Sequence, residues 1–351
     1  MAAPAVTLPL EPMLAKAVTQ LPTSDAEANR YCYEPKWDGF RALVQWDGEQ
    51  VQIGSRGSKP LTRYLPELVA ALQGALPEPC LLDGEIVVRT GAAGAERLDW
   101  EALSQRIHPA ESRIRTLAER TPASFVAFDL VAIGDEDLLG APLHQRRTRL
   151  EQLLSGSAPP VHLTRTSSDT ATAERWFREF EGAGLDGVIA KDLESTYQPG
   201  KRAMFKLKHQ RTADVILLGY RVHKSGVGVG SLLLGLYDTA GTLQPVGGAS
   251  AFPDATRQSL VTQLEPLVLR DLAGNPITGD GERSRFSAAK DSSFVRLKPA
   301  VVAEVRYDQM EGSRFRHAVQ FLRWRPDRDA RSCTFEQLDT PAAYDLDAVL
   351  R

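Results

Sequence analysis

At 351 residues, 42% hydrophobic and 25% charged, the chain has an ordinary globular composition but exceeds one comfortable core, so two domains are expected. No apolar run can span a bilayer, and the opening MAAPAVTLPLEP lacks a signal peptide's basic start and long apolar core; the expectation is a cytoplasmic protein with no membrane partner. The net charge of −3 hides a basic half, with 22 Lys+Arg against 17 Asp+Glu in residues 201–351 and 20 against 28 in residues 1–200, and that half is compatible with binding a phosphate backbone.

In chain order, the first residues read as extended chain. Short β-type runs follow at 31–34, 40–46 and 51–55, the last two joined at DGEQ, where Asp47-Gly48 suits a hairpin turn. LPELVAALQGAL (65–76) has Pro66 near its start and leucines at helical spacing, which predicts a helix. CLLDGEIVV (80–88) reads as a buried-type strand interrupted at Asp83-Gly84-Glu85. Helices are predicted near 99–107, 143–154 and 170–181, and strands at 124–133, 186–191 and 203–208.

After Lys208 the texture changes. HQRTAD (209–214) reads as a linker, and strand-like pieces follow: VILLGYRV, SLLLGLYD, VVAEVRYDQ and AVQFLRWR. One helix (255–268) breaks the series, so a small β-barrel is expected as the second domain. GVGVGS (226–231) lies between two strand candidates and reads as a hairpin turn. GSRGSK (54–59) lacks the spacing of a P-loop, so any nucleotide is held in another way. Cys32, Cys80 and Cys333 are too few and too far apart for a disulfide framework or a zinc site, and are expected to be buried spectators.

EPKWDGFR (34–41) raises a chemical question, because a lysine that only solubilises a surface needs no tryptophan after it and no sharp turn. Free lysine has a pKa of about 10.4, so roughly one amine in a thousand is a free base near neutrality. A nucleophilic lysine needs desolvation or neighbouring cations. Trp37 is placed to desolvate Lys36, and Arg41, Lys206 and Lys208 to supply positive field. Taken alone, KxDG is a surface lysine beside a turn.

The series that follows changes that reading: KWDGFR (36–41), SRGSKP (55–60), LLDGEIVV (81–88), FVAFDL (125–130), LDGVIAK (185–191), MFKLK (204–208) and FLRWRPDR (321–328). With these motifs in this order the chain resembles the covalent nucleotidyltransferases, specifically the ATP-dependent DNA ligases. The likeness is to the small bacterial two-domain class (LigC-like) and to the ligase module of multifunctional end-joining ligases, over roughly residues 10–340.

The resemblance implies roles residue by residue. Lys36, followed by Asp38 in its motif, is the nucleophile; Glu34 lies in the adenine pocket and Phe128 stacks on adenine. Arg41 joins the nucleotide site, and Arg56 contacts the ribose or the nick phosphate, where a planar guanidinium suits oxyanions. Glu85, read here as following an Asp-Gly turn, binds the ribose hydroxyl and metal. Asp186 stands where the family usually has glutamate, still within reach of a magnesium ion. Lys191, Lys206 and Lys208 point outward from their strands toward the α-phosphate, where fixed cations stabilise a phosphoryl-transfer transition state. Arg325 and Asp327 reach the β- and γ-phosphates; Arg328 replaces the usual lysine.

The implied fold is α+β: a nucleotidyltransferase (adenylation) domain of antiparallel-rich sheets with helices over residues 1–208, then an all-β OB-fold over 209–351. The implied reaction uses ATP, with Mg2+ (or Mn2+), through lysyl-AMP and an adenylylated 5′-phosphate. Its partner is nicked duplex DNA, in DNA repair and recombination, and the expectation is a nucleoid-associated monomer that repair or end-joining proteins recruit. Two rivals stand beside it: an RNA-directed nucleotidyltransferase (RNA ligase or capping-type) and a non-catalytic nicked-DNA-binding protein.

Overall fold

The structure is a computed structural model that describes residues 3–23, 30–280, 293–338 and 341–350. The chain forms two compact units, Met1–Lys208 with Pro341–Arg351, and His209–Thr340. The expected division assigned residues 341–351 to the second unit. They belong to the first because Leu346 and Val349 are fully buried in a cluster with Leu98, Trp176 and Phe180.

The first unit is built on two sheets. One has four strands in the order Leu14–Val18, Arg202–Lys208, Gly187–Asp192, Tyr31–Pro35; the first pair is parallel and the others antiparallel. The opening, read as extended chain, therefore contains an edge strand. The other sheet orders Val51–Ser55, Phe40–Trp46, Cys80–Thr90 and Ala123–Ile133 as antiparallel neighbours, with Glu136–Asp137 at its end. Its first hairpin turns because Asp47 accepts backbone N–H bonds from Glu49 and Gln50, at 2.8 and 2.7 Å, while Gly48 takes φ +94°.

Helices Pro66–Ala75, Trp100–Gln105 and Leu143–Leu153 cover this sheet and close an apolar core that holds Leu68, Leu72, Leu103 and Leu150. Helix Thr170–Glu179, capped by Asp169, buries Ala173 and Trp176 in the second cluster. Helix Glu111–Arg120 was not predicted; its mean character is strongly polar and it buries only Ile114 and Leu117.

Cys80–Thr90 runs unbroken through Asp83-Gly84-Glu85, so these residues form no turn. Gly84 is needed for close approach instead: a Cβ there would stand 2.4 Å from the Phe125 ring and 2.6 Å from the Val126 carbonyl oxygen. Asp83, with no solvent exposure, is tolerated because Arg41 and Tyr197 hydrogen-bond it.

In the second unit the long strand Arg211–Val222 starts inside the expected linker, leaving only His209 and Gln210 between the last strand of the first unit and this one. One part of it pairs with Val302–Tyr307, another with Ser293–Arg296, and its opposite edge with Val229–Tyr237, which curls the sheet. Leu243–Ala249 and Gln320–Trp324 extend it. Gly226 and Gly228, both at positive φ, make the expected turn before Val229–Tyr237. Helix Asp254–Leu264 stops short of the predicted 268 because Pro266 sits in the 3-10 turn that follows. The result is a curled β-sheet domain of OB-fold type. All three cysteines are buried and free.

Candidate active site

The two sheets of the first unit face each other across a cavity of about 190 Å3. Strand alternation decides what lines it. On the four-stranded sheet, Glu34 and Lys206 are both register partners of Ile189, and Met204 pairs with Ala15; all five side chains line the cavity. On the facing sheet, Arg41 and Glu85 are direct cross-strand partners, with Phe128 beside them. Lys36, Trp37, Arg56 and Lys191 complete the expected lining, and Arg202 adds a cation that the sequence reading missed. Its signal was present: Arg202, Met204 and Lys206 recur every second residue, so they share a face.

Lys36 leaves the end of strand Tyr31–Pro35 with its backbone pinned on both sides. Its N–H donates to Gly187 O at 2.9 Å, and its carbonyl accepts from Asp186 N–H at 3.0 Å. Gly187 is required there, with φ +132° and the Leu207 oxygen 2.0 Å from where a Cβ would sit. The Lys36 ammonium lies 2.5 Å from Asp186 Oδ2, and Lys208 reaches the same oxygen at 3.2 Å. Asp186 and Lys208 do not line the cavity but adjoin it through the nucleophile candidate. Burial, with Lys36, Lys208 and Arg202 nearby, lowers the pKa of Lys206. Asp38 is half-buried at the turn after Trp37 and lies outside the lining.

Lys191 departs from its expected outward direction. It is 2% exposed, pairs with Glu34 Oε2 at 2.9 Å and donates to the Phe128 carbonyl at 2.9 Å. Burial raises the Glu34 pKa against the pull of Lys191 and Arg147, and its Oε1 has no hydrogen-bond partner. That orphaned acceptor is what an exocyclic amine would satisfy. Arg41 is held bidentately by Asp83, at 2.6 Å for each bond, and its guanidinium lies 4.4 Å from the Phe128 ring centre. Behind Phe128, buried Arg146 grips Asp129 at 2.7 Å and fixes the strand.

Glu85 accepts from the Gly39 N–H at 3.1 Å. Burial pushes its pKa up to about 7, against Arg41, Lys36 and that N–H. Among the described residues no three His, Cys, Asp or Glu side chains could enclose a metal ion. Magnesium needs only one or two carboxylates when phosphates and water supply the rest, so Glu85 and Asp186 fit an ion that enters with a triphosphate. In the second unit, Arg325 pairs with Asp214 at 3.0 Å and with Asp327 at 2.8 Å, and Arg328 stands 3.5 Å from Asp214.

Two facing antiparallel-rich sheets with a lysine at the cavity wall, followed in the chain by an OB-type unit, define the covalent nucleotidyltransferase architecture. Family models agree: "ATP dependent DNA ligase domain" matches residues 12–208 and "ATP dependent DNA ligase C terminal region" matches 225–328. The chain therefore belongs to the ATP-dependent DNA ligases, enzymes that use ATP to join nicked DNA. It is 54% identical to DNA ligase C of Mycobacterium tuberculosis H37Rv, over 97% of both chains. It is 32% identical to a multifunctional non-homologous end joining DNA repair protein, LigD, of M. tuberculosis CDC 1551, over 86% of this chain and 36% of that protein. Among solved structures, a Lig E DNA ligase aligns with TM-score 0.54 at 18% identity, over 89% of this chain and 99% of that one. Neither the RNA-directed nor the non-catalytic alternative finds support in these matches. No helix among the described residues is long and apolar enough to cross a membrane.

Proposed function

We propose that Lys36 is the adenylated nucleophile of this ligase and that the cavity around it binds ATP. The observation that carries this is convergence: Glu34, Lys36, Arg41, Arg56, Glu85, Phe128, Lys191 and Lys206, spread over 173 positions of sequence, line one cavity. Adenine stacks on Phe128, and its 6-amino group donates to the orphaned Glu34 oxygen, where guanine would present a carbonyl oxygen instead. Lys36 Nζ attacks the α-phosphorus, the P–N bond forms as the bond to the bridging oxygen breaks, and pyrophosphate leaves. Asp186, in hydrogen-bond reach of Nζ, is placed to take the amine proton.

Lys206, Lys208 and Arg202 offset the charge that develops on the phosphate oxygens. Glu85 and Asp186 would hold Mg2+ or Mn2+, which neutralises phosphate charge when bound. AMP then passes to the 5′-phosphate of a nick, and attack by the 3′-hydroxyl expels it. Arg56 contacts ribose or that nick phosphate, and Arg325 with Asp327 serves the β- and γ-phosphates. The setting proposed is DNA repair in the cytoplasm, as a monomer, with end-joining proteins as recruiting partners.

The test is intact mass of the protein after incubation with ATP, with and without pyrophosphate. Wild type should gain one AMP that pyrophosphate removes, and Lys36→Ala should gain none while keeping its circular dichroism spectrum. An AMP adduct on the alanine variant at wild-type yield would sink the assignment.

A further inference from the structure

Resting on the reading of Lys36 as nucleophile, the inference concerns what aims it. The bonds that pin the Lys36 backbone do not fix the environment of its side chain, to which Trp37 contributes the neighbouring wall. The Trp37 indole N–H donates to Thr164 Oγ1 at 2.8 Å, and both residues are buried. Thr164 is itself fixed: its N–H donates to Ala127 O at 2.9 Å, and its carbonyl accepts from Arg147 at 2.8 Å.

The next residue faces a different partner. Arg165 donates to Ala348 O at 2.7 Å and lies 5.9 Å and 5.6 Å from the ring centres of Trp176 and Phe180. Ala348 belongs to the C-terminal segment, which is seated on the first unit by several independent contacts. Leu346 N–H donates to Glu96 O at 2.9 Å, and Glu96 N–H to Asp345 at 3.2 Å. Tyr344 meets the Phe180 ring at 5.1 Å. Gly182 lies under the segment so closely that a Cβ would stand 1.8 Å from Ala342 O. Leu346 and Val349 also share one buried cluster with Trp37 and Phe128. The dipeptide Thr164-Arg165 thus joins the indole beside the nucleophile to the last helical turn of the chain.

We infer that Thr164 and the segment 341–350 are positioning elements for Lys36, holding Trp37 so that the amine meets the α-phosphate in line. The segment touches neither ATP nor DNA in this role. It acts through Arg165, Thr164 and the indole.

Full-length variants test this. Thr164→Val removes the acceptor at nearly constant volume, and Thr164→Ser returns it. Gly182→Ala forces the segment up; should it not fold, Arg165→Met, which drops the bond to Ala348 and keeps the apolar stem, takes its place. Single-turnover transfer of α-labelled AMP to Lys36 is measured across ATP concentration, and sealing of a pre-adenylylated nick on the same preparations. Thr164→Val and Gly182→Ala should each slow transfer at saturating ATP by about 10-fold or more, since small misplacements of a reacting group are costly. The half-saturating ATP concentration should stay within about twofold, and sealing should stay near wild type. Thr164→Ser should restore transfer, and the double variant should be no slower than the slower single one, because both cut one path. Wild-type transfer in Thr164→Val, parallel loss of both steps, or additive losses would overturn the inference. Wild-type protein that takes no label on Lys36 would instead overturn the nucleophile assignment, a result seen without any variant.

Discussion

Asp186 bridges Lys36 and Lys208, so its removal takes away the carboxylate oxygen that both ammonium groups share. Asp186→Ala should lower adenylation by about 10²-fold or more, the scale of general acid–base assistance, while changing the melting temperature little. Asp186→Glu should retain activity, since a carboxylate one carbon longer reaches the same groups. Label transfer and thermal unfolding on the same samples check both, and an alanine variant with full activity would remove Asp186 from the chemistry.

His162 supplies a prediction in pH. Burial, with Arg89 nearby, lowers its pKa to about 4, and its Nε2 has no partner. Above pH ~6.5 the imidazole is neutral in both folded and unfolded chains and costs nothing. Below that the unfolded chain takes up a proton that the folded chain refuses until about pH 4, so stability falls across this window. The full loss is on the order of 3 kcal/mol at the acid end. His162→Leu should flatten that part of a urea-unfolding profile against pH, and an unchanged slope would refute the assignment. That Glu34, Arg41, Glu85, Phe128 and Lys206 would share one cavity was legible, because each stands in a strand whose alternation projects it to one face. The partners of Asp186 were not, because Lys36 and Lys208 meet it only through the fold.

At the scale of elements, the strands of the first unit were legible wherever apolar residues ran on without polar interruption. Two misreadings share one cause. Asp83-Gly84-Glu85 looks like a turn, and Arg211–Asp214 looks like a linker, because local rules place charges outside strands. In the fold, Asp83 is satisfied by Arg41 and Tyr197, and Asp214 by Arg325, which is 111 residues away. Those partners are invisible to any local window. A glycine carries the packing consequence. Gly39 lies so close to strand Cys80–Thr90 that a Cβ would stand 2.1 Å from Ile86 O. Gly39→Ala should cost about 2 kcal/mol or more in urea unfolding, because backbone cannot yield as a side chain does. It should also depress adenylation, since the Gly39 N–H holds Glu85. A variant of wild-type stability would show that the two strands can separate without penalty.

At the scale of the molecule, the two units invite separate assays. Arg325 belongs to the second unit, where Asp214 and Asp327 orient its guanidinium. If it serves the triphosphate, Arg325→Ala should slow lysine adenylation by about 10²-fold and leave sealing of a pre-adenylylated nick largely intact, since that step contains no triphosphate. Equal losses in the two assays would assign Arg325 to folding or DNA binding. The two-unit plan was legible from the change of texture after Lys208, but the return of the last residues was not. A five-residue helix, Leu346–Leu350, has too few turns to announce a buried face.

That return has a consequence for how the protein is made. The 132 residues of the second unit lie between the two parts of the first. At ribosomal speeds of roughly 5–20 residues per second, on the order of ten seconds pass between emergence of Lys208 and of Leu346. During that interval Trp176 and Phe180 lack their final covering, and the nucleotide-binding half of the enzyme is an unfinished nascent chain. A chain that stops anywhere within the second unit therefore lacks the cover that Leu346 and Val349 give Trp176 and Phe180, and leaves that apolar surface open to chaperones and proteases.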